Sequence, residues 1–536
     1  MESFAADLAQ MTRTPLADSH VAALRTVSEE VTLEAGTVVI RPGQPQTRFV
    51  YLLEGSIEVF DTRTGEAYLP FFLGPGQFTG EIAFLNGAVA SFALRTRERT
   101  RILSAPREDV LRLMAKIPEM SDIIISVFAA RRRRQIEAGQ SSLILIGADS
   151  DRGVRRIESF LGRNKVPFQA LAVDDPAARD HAGPDPRPGV LFDGHYLDAP
   201  TPDAVARLLG FDQACGLLST TDVLIVGGGP GGVAAAVYAG AEGLSAVLVE
   251  EMAVGGQAGT SSRIENYMGF PTGISGGDLV WRGEIQAMKF GTRFVLPRRV
   301  IGLERIAGGR FLASLDDGTQ IDAGAVVIAT GVQYRRLPWD RLDDFEGAGV
   351  YYAATETEAR YCREDPVVVV GGGNSAGQAA MFLCRTSAHV HVFVRGTSLA
   401  ASMSDYLSHR LESDPNITLH YQTEITGLSG DGSLSQVAIK TPEGASALEA
   451  RGVFVMVGAA PNTGWLSELV ALDSRGFVLT GKDAAGRTEF ETSVPGIFAV
   501  GDVRAGSVKR VASAVGEGSV TISSVWTHVK EAQDAP

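Results

Sequence analysis

The stretch TDVLIVGGGPGGVAAAVYAGAEGLSAVLVEE, residues 221–251, decides the fold. An apolar strand, Asp222 to Val226, runs straight into Gly227-x-Gly229-x-x-Gly232. A helix of small residues follows, and a second strand ends at Glu250. Each glycine has a separate task. Gly227 permits the tight turn, Gly229 lets backbone amides approach a pyrophosphate, and Gly232 lets helix and strand pack closely. Glu250 lies 18 residues after Gly232, where a carboxylate can accept hydrogen bonds from ribose hydroxyls. A glycine triplet alone says little. With strand before, helix after and acid at that distance, it reads as a dinucleotide site in a parallel α/β unit.

A second fingerprint lies downstream, in DPVVVVGGGNSAGQAAMFLCRTSAHVHVFVRG, residues 365–396. Here Gly371-x-Gly373-Asn374-Ser375-Ala376 follows the strand Val367 to Val370, and the next strand ends at Arg395. An acid there would suit a free ribose hydroxyl, whereas an arginine suits a 2′-phosphate. The reading favours NADPH, with NADH as the alternative if Arg395 only meets solvent. Two dinucleotide folds, one inserted in the other, imply hydride transfer from a nicotinamide to a flavin. AVVIATG, residues 325–331, returns the chain before the second unit. GIFAVGDVRAGSVKRVASAVGEGSV, residues 496–520, again runs strand, Gly501-Asp502, loop, helix. An aspartate at a strand end can bond the ribityl chain of a flavin, and the next helix N-terminus can face its pyrimidine end.

The chain has 536 residues, enough for several domains at roughly 100–200 residues each. Its net charge of -14 argues against non-specific nucleic-acid binding. No apolar run reaches the ~20 residues that span a membrane. The start lacks the basic and apolar stretches of a secretory signal, so a cytoplasmic location is expected. The three cysteines, Cys215, Cys362 and Cys384, form no C-x-x-C pair and no metal cluster.

Upstream, short strand-like runs divided by turn signals fill residues 21 to about 115, as in a β-barrel or jelly roll. A helical segment follows, and the run Arg131 to Arg134 within it reads as a solvated helix end. Residues 142–211 read strand, helix, strand, strand, helix, a compact α/β module. The expected fold class is α/β, with two doubly wound units behind a β-jelly roll and a small α/β domain. The expected divisions are residues 1–138, 141–212, 220–338, an inserted unit at 339–464, and a return at 465–536.

From about residue 220 to 530 the chain resembles a low-molecular-weight thioredoxin reductase. The matches run in order: the first fingerprint, GGQ (255–257), IENYMGFPTGISGGDL (264–279), ATG (329–331), the second fingerprint, GAAPNT (458–463) and GDVR (501–504). The resemblance implies FAD in the outer unit, NADPH in the inserted one, a homodimer, and rotation between the units. It implies that Gln257 and Asn266 line the flavin, that Asp502 holds its ribityl chain, and that Lys509, Arg510 and Val511 meet the isoalloxazine edge. Two departures stand out. Arg395 is followed by Gly396 where the family has paired arginines. In GVYYAATETEARYC, residues 349–362, Ala353 and Glu356 occupy the positions of the family's redox cysteines. Neither can carry a disulfide. Glu356 offers either a proton donor beside the acceptor or a solvated surface carboxylate. Cys362 has no partner within two residues and is expected to be inert.

Residues 30–115 resemble a cyclic-nucleotide-binding domain. GQFTGEIAFLNGAVASFALRT, residues 76–96, matches its phosphate-binding cassette, in which Gly80-Glu81 contacts ribose. Ala90 falls where that family has its phosphate-binding arginine, so a strong charge-assisted bond is missing; Arg95 and Arg97 are the nearby substitutes. Loss of cyclic-nucleotide binding is favoured over retention. Residues 142–211 resemble a thioredoxin or glutaredoxin fold without cysteines, with GADSDRG (147–153) at the active-site loop and Pro188 facing it. The leading expectation is an NADPH-dependent FAD enzyme that passes electrons to an unidentified acceptor without an internal disulfide. The alternatives are a ferredoxin–NADP reductase of thioredoxin-reductase type and a redox sensor that signals without turnover.

Overall fold

The computed structural model describes residues 11–62, 64–139, 141–147, 151–211, 218–261, 264, 266–352, 354, 356–400, 403–466 and 469–534. The N-terminal strands build two antiparallel sheets. One orders Glu29–Leu33, Thr100–Pro106 and Arg48–Glu54, and the other orders Val38–Ile40, Ala93–Thr96, Ile57–Phe60 and Ala67–Leu73. Phe49 stacks on Phe78 with ring centroids 5.3 Å apart, and Phe84 meets Phe128 edge-on at 6.0 Å. Phe128 belongs to the helix Pro118–Ala138, which closes the roll. Pro118 suits the first helical turn, and Gly139 takes the left-handed conformation that ends the helix (φ 59°).

The run Arg131 to Arg134 departs from expectation, because it is not a solvated helix end. Arg131 donates to the Gly80 carbonyl at 2.9 Å. Arg132 is buried, pairs with Glu81 at 2.9 Å and donates to the Lys165 carbonyl at 3.0 Å. Arg133 faces out and pairs with Glu137 at 2.7 Å. A helix turns about 100° per residue, so neighbours in sequence reach opposite environments.

The small module has a four-stranded sheet ordered His195–Asp198, Gly189–Phe192, Ile144–Ile146, Gln169–Leu171. Its last two strands are parallel and the other pairings antiparallel, an order that fits the resemblance to a thioredoxin fold. Its helix Arg152–Arg163 starts on the Asp151 side chain, which accepts from the Val154 N–H at 2.9 Å. Pro188 lies against Gly147, where an added Cβ would come within 3.2 Å of the Pro188 Cβ. Residues 148–150 of that loop lie outside the described residues.

In the first doubly wound unit, Arg293–Val295, Ala246–Val249, Leu218–Val226, Gln320–Ile328 and Ile497–Ala499 pair in parallel. Strands Phe311–Leu315 and Val300–Arg305 extend the sheet antiparallel. The stretches Val223–Val226, Ala246–Val249 and Ala325–Ile328 are all Val, Ile, Leu or Ala, as in a sheet covered by helices. Helices Pro230–Ala241 and Val511–Asp534 cross so closely that a Cβ on Gly518 would sit 2.1 Å from the Gly231 carbonyl oxygen. The inserted unit orders Val350–Tyr351, Gly452–Val455, Pro366–Val370, His389–Val394 and Ile417–Tyr421, all parallel. The chain enters it through Val332–Tyr334 and leaves through Ala459–Pro461, which pair antiparallel. Beside that pair, Thr330 donates its hydroxyl to the Asn462 carbonyl and Asn462 donates its amide to the Thr330 carbonyl, both at 3.0 Å.

The jelly roll and the first doubly wound unit share one apolar core. Phe84, Leu85 and Val127 belong to the same buried cluster as Val280, Ile285 and Met288 of the helix Gly276–Lys289. Lys289–Asp122 at 3.0 Å and Lys165–Asp278 at 3.4 Å flank it. Among the described residues no helix is long and apolar enough to cross a membrane.

Candidate functional site

The first glycine fingerprint forms a cradle with no room for a side chain at its first and third glycines. Gly227 has φ 105°, and a Cβ there would sit 2.4 Å from the Ala329 carbonyl oxygen. A Cβ on Gly232 would lie 1.9 Å from the Gly227 carbonyl oxygen. Gly229 differs, since nothing stands within 4 Å of its Cβ position. It is the N-cap of the helix Pro230–Ala241 and supplies no side-chain cap. That leaves the first-turn N–H groups and the positive end of the helix dipole facing open space, which is what a pyrophosphate needs.

Glu250 stands at the end of the strand Ala246–Val249, as the spacing predicts. One carboxylate oxygen accepts from the Gly228 N–H at 2.7 Å and the other from the Met252 N–H at 3.1 Å. Burial raises the Glu250 pKa, while those two N–H groups and the Arg163 guanidinium pull it back. Asp502 lies in the Gly501–Val503 turn across the cradle. Burial raises its pKa, Lys509 opposes this, and Glu517 adds to it. Among the described residues no group donates a hydrogen bond to Asp502, so it can receive a ligand hydroxyl. The turn itself is pinned: Glu517 accepts from the Gly501 N–H at 2.6 Å and pairs with Arg504 at 2.7 Å. The cradle, the uncapped helix end and the half-buried, unpartnered Asp502 together fit FAD.

The other residues singled out around this cradle are scattered. Gln257 donates its side-chain amide to the Val332 carbonyl and so ties to the strand leading into the inserted unit. Asn266 is exposed. Lys509 lies 5.0 Å from the Phe477 ring centroid, Arg510 is exposed, and Val511 begins the last helix.

The second cradle repeats the design. Gly371 has φ 147°, and a Cβ there would lie 2.4 Å from the Met456 carbonyl oxygen. Ala376 is fully buried where the first cradle has Gly232. Gly373 is the N-cap of the helix Asn374–Leu383 without a side-chain cap. Asn374 accepts from the Ser404 N–H at 2.8 Å, and Ser375 is exposed. Arg395 is exposed directly after the strand His389–Val394, and among the described residues no carboxylate pairs with it. This arrangement fits a dinucleotide.

The segment between the cradles holds no C-x-x-C pair, and Cys362 is its one cysteine. Ala353 lies outside the described residues. Glu356 begins the short helix Glu356–Tyr361, and its side chain is likewise outside them. Cys362 is fully buried, and burial pushes its thiol up to about 12. Its sulfur would come within 2.6 Å of a Cβ on Gly452. A thiol so placed stays protonated and inert. Burial also raises the Cys384 thiol, and Cys215 lies outside the described residues.

The cassette retains its shape, but its carboxylate is engaged. Gly80 has φ 116°, and a Cβ there would sit 2.7 Å from the Phe128 ring. Glu81 is buried, with one oxygen on Arg132 at 2.9 Å and the other accepting from the Ser91 hydroxyl at 2.8 Å. Arg95 and Arg97, the nearby substitutes for the missing phosphate-binding arginine, both pair with Glu58, at 2.7 and 3.4 Å. Ala90 is buried. Arg132 was legible only as part of a charge run, because its partner lies 51 residues away in sequence.

Residues 221–518 match the family model described as pyridine nucleotide-disulphide oxidoreductase, and residues 30–117 match that of the cyclic nucleotide-binding domain. Thioredoxin reductase of Chlamydia pneumoniae is 33% identical over 306 residues, covering 56% of this chain and 95% of that protein. NADPH-dependent thioredoxin reductase 3 of Arabidopsis thaliana is 32% identical over 308 residues, and this chain spans 56% of its length. Among solved structures, Lactococcus lactis thioredoxin reductase aligns with a TM-score of 0.53 at 27% identity, covering 58% of this chain and 99% of that one.

Proposed function

We propose, from the premise that the chain belongs to the pyridine nucleotide-disulphide oxidoreductase family, that it is a flavoprotein oxidoreductase using NADPH and FAD without an internal disulfide. The observation that carries the reading is the contrast between two glycine cradles whose helix N-termini carry no side-chain cap and a chain whose cysteines include no C-x-x-C pair. When bound, FAD supplies the two-electron chemistry, accepting hydride from a nicotinamide and releasing electrons to an acceptor. The chain's own residues bind and orient. Glu250 receives ribose hydroxyls, Asp502 receives the ribityl chain, and the helix end at Gly229 faces the pyrophosphate. Arg395 selects the 2′-phosphate of NADPH over the bare ribose of NADH.

The paired strands Val332–Tyr334 and Ala459–Pro461 serve as the hinge between units, with the Thr330–Asn462 pair as its pivot. Electrons leave directly to an external acceptor: a disulfide, a quinone, oxygen or a one-electron carrier. In sequence, Ala353 and Glu356 hold the positions of the family's redox cysteines. Cyclic nucleotide does not bind the cassette, because its ribose-type carboxylate is neutralised by Arg132. The protein works as a homodimer, as its resemblance implies.

Anaerobic mixing of the FAD-loaded protein with NADPH tests this reading. Rapid bleaching of the flavin band supports it, and reoxidation compared across thioredoxin, ferredoxin, quinone and oxygen names the acceptor. Failure of NADPH to bleach a bound flavin overturns the enzyme reading in favour of a sensor. Efficient turnover with thioredoxin overturns the claim that no internal disulfide is needed.

A further inference from the structure

The small α/β module has no cysteines within residues 141–211, yet it reaches the first cradle. The contact is made through Met252, two residues after Glu250 in sequence. The Met252 side chain packs against the module's own core, the cluster that holds Phe160, Leu161 and Val166. Its carbonyl accepts from the Asn164 side-chain amide at 3.2 Å. Its N–H donates to Glu250 at 3.1 Å. Arg163 lies over the thioether, with a guanidinium nitrogen 3.2 Å from the Met252 sulfur. Met252 is therefore held by the module at its carbonyl and side chain, its own N–H bonds the ribose-type carboxylate, and the Ala253 N–H of the peptide that Asn164 holds bonds that carboxylate as well.

The two oxygens of Glu250 thus have different dependencies. The oxygen on Gly228 is fixed within the cradle itself. The oxygen on Met252 follows the placement of the Met252 backbone, and the Ala253 N–H next along the chain adds a further bond to the carboxylate. The Met252 carbonyl and side chain are held by residues outside the stretch 221–518 that the family model covers. A carboxylate that must accept ribose hydroxyls from a buried position needs both a set orientation and a nearby cation. Arg163 supplies the cation and Asn164 the orientation.

We propose that Arg163 and Asn164 are positioning residues of the FAD site, so that the small module completes the adenosine end of the flavin pocket in the neighbouring unit. The inference rests on the reading that this cradle holds FAD. It goes beyond that reading in assigning a cofactor-binding role to a module that carries none of the redox chemistry. The same segment also touches the other modules: Lys165 pairs with Asp278 at 3.4 Å and its carbonyl receives Arg132. Those contacts dock the module. They do not touch Met252.

The difference between docking and positioning is the test. Full-length protein is stripped of FAD and retitrated with FAD, following flavin fluorescence, with AMP and riboflavin as separate competitors. Arg163→Ala with Asn164→Ala is expected to weaken FAD about tenfold, from the loss of one hydrogen bond and one cation. AMP affinity should fall by the same factor and riboflavin affinity should hold, because the contact lies at the adenosine end. Arg163→Lys should recover part of the loss. Lys165→Ala, which removes only a docking contact, should leave FAD affinity within about twofold. If the double variant does not fold, Asn164→Asp serves instead, since it sets an acceptor against the Met252 carbonyl and should weaken AMP likewise. Equal AMP affinity in a folded Asn164 or Arg163 variant overturns the proposal, as does an equal loss in Lys165→Ala. If the unaltered apoprotein takes up no FAD at all, the functional reading falls, and this proposal with it.

Discussion

Two glutamates in this molecule stand where their motifs would place a ribose-type carboxylate, and they have opposite fates. Glu250 in the first dinucleotide cradle is held by two backbone N–H groups, at 2.7 and 3.1 Å. Those bonds orient a carboxylate without cancelling its charge, and lone pairs remain for a ligand. Glu81 in the cyclic-nucleotide cassette is held by a buried guanidinium at 2.9 Å and a hydroxyl at 2.8 Å. Its charge is cancelled by the chain's own Arg132. The first carboxylate is prepared for a ligand, whereas the second has become part of a joint. The pairing partner, more than the motif, decides whether such a residue binds or braces.

The largest effect that separates these fates is on stability. Glu81 and Arg132 side chains are each 9% exposed. Removing one partner leaves a buried charge alone, which costs about 3–5 kcal/mol. Arg132→Ala should therefore unfold at clearly lower urea concentration than the unaltered chain. Glu81→Gln combined with Arg132→Met should recover most of that loss, since neither charge then remains. If Arg132→Ala has unaltered stability and gains affinity for cyclic AMP by calorimetry, the cassette is a masked site and the comparison breaks.

The next effect is on cofactor binding. Glu250→Gln keeps the shape but loses the charge that strengthens bonds to ribose hydroxyls, and FAD affinity should fall about tenfold or more. Glu81→Gln should leave FAD affinity unchanged at temperatures where the chain stays folded. Smaller again is dinucleotide choice. Arg395→Ala should cut the preference for NADPH over NADH by about tenfold, one charge-assisted bond, read from the rate of flavin bleaching with each. An unchanged ratio would mean that Arg395 merely meets solvent.

The sequence made one half of this comparison legible and hid the other. Gly227, Gly229, Gly232 and Glu250 are read within thirty residues because strand, turn and helix impose fixed offsets on them. The same local logic recovers the second cradle, but in the small module it takes the hairpin of Gly189–Phe192 and His195–Asp198 as one strand and passes over the helix Pro176–Ala182. Arg132 is a different case. The run Arg131 to Arg134 reads as a solvated helix end only when adjacent positions are treated alike, while the helix sends Arg132 inward and Arg133 outward. Its partner sits 51 residues upstream, and Asn164 meets Met252 across 88 residues. No periodicity encodes a contact between two folded units. At Ala353 and Glu356 the missing cysteines are plain in the sequence itself.

The smallest effect concerns the joint that Glu81 has become. Glu284, on the helix Gly276–Lys289 of the first doubly wound unit, is driven up to about 7 by burial, with the Arg132 guanidinium opposing the shift. The sign follows from linkage. A carboxyl whose folded pKa lies above its unfolded value of 4.5 binds more protons folded than unfolded between those two values. Its contribution to stability is therefore full below about pH 4.5 and is lost as pH rises through about 7. Glu284→Gln should flatten that falling limb in urea midpoints measured from pH 5 to 8, and leave the pH 5 value nearly unchanged. Arg132→Met should steepen the limb instead, because the one cation that favours the charged Glu284 is gone. Identical pH profiles for the three proteins would place Glu284 in water and remove it from the joint, leaving the Glu81–Arg132 pair to hold the cassette by itself.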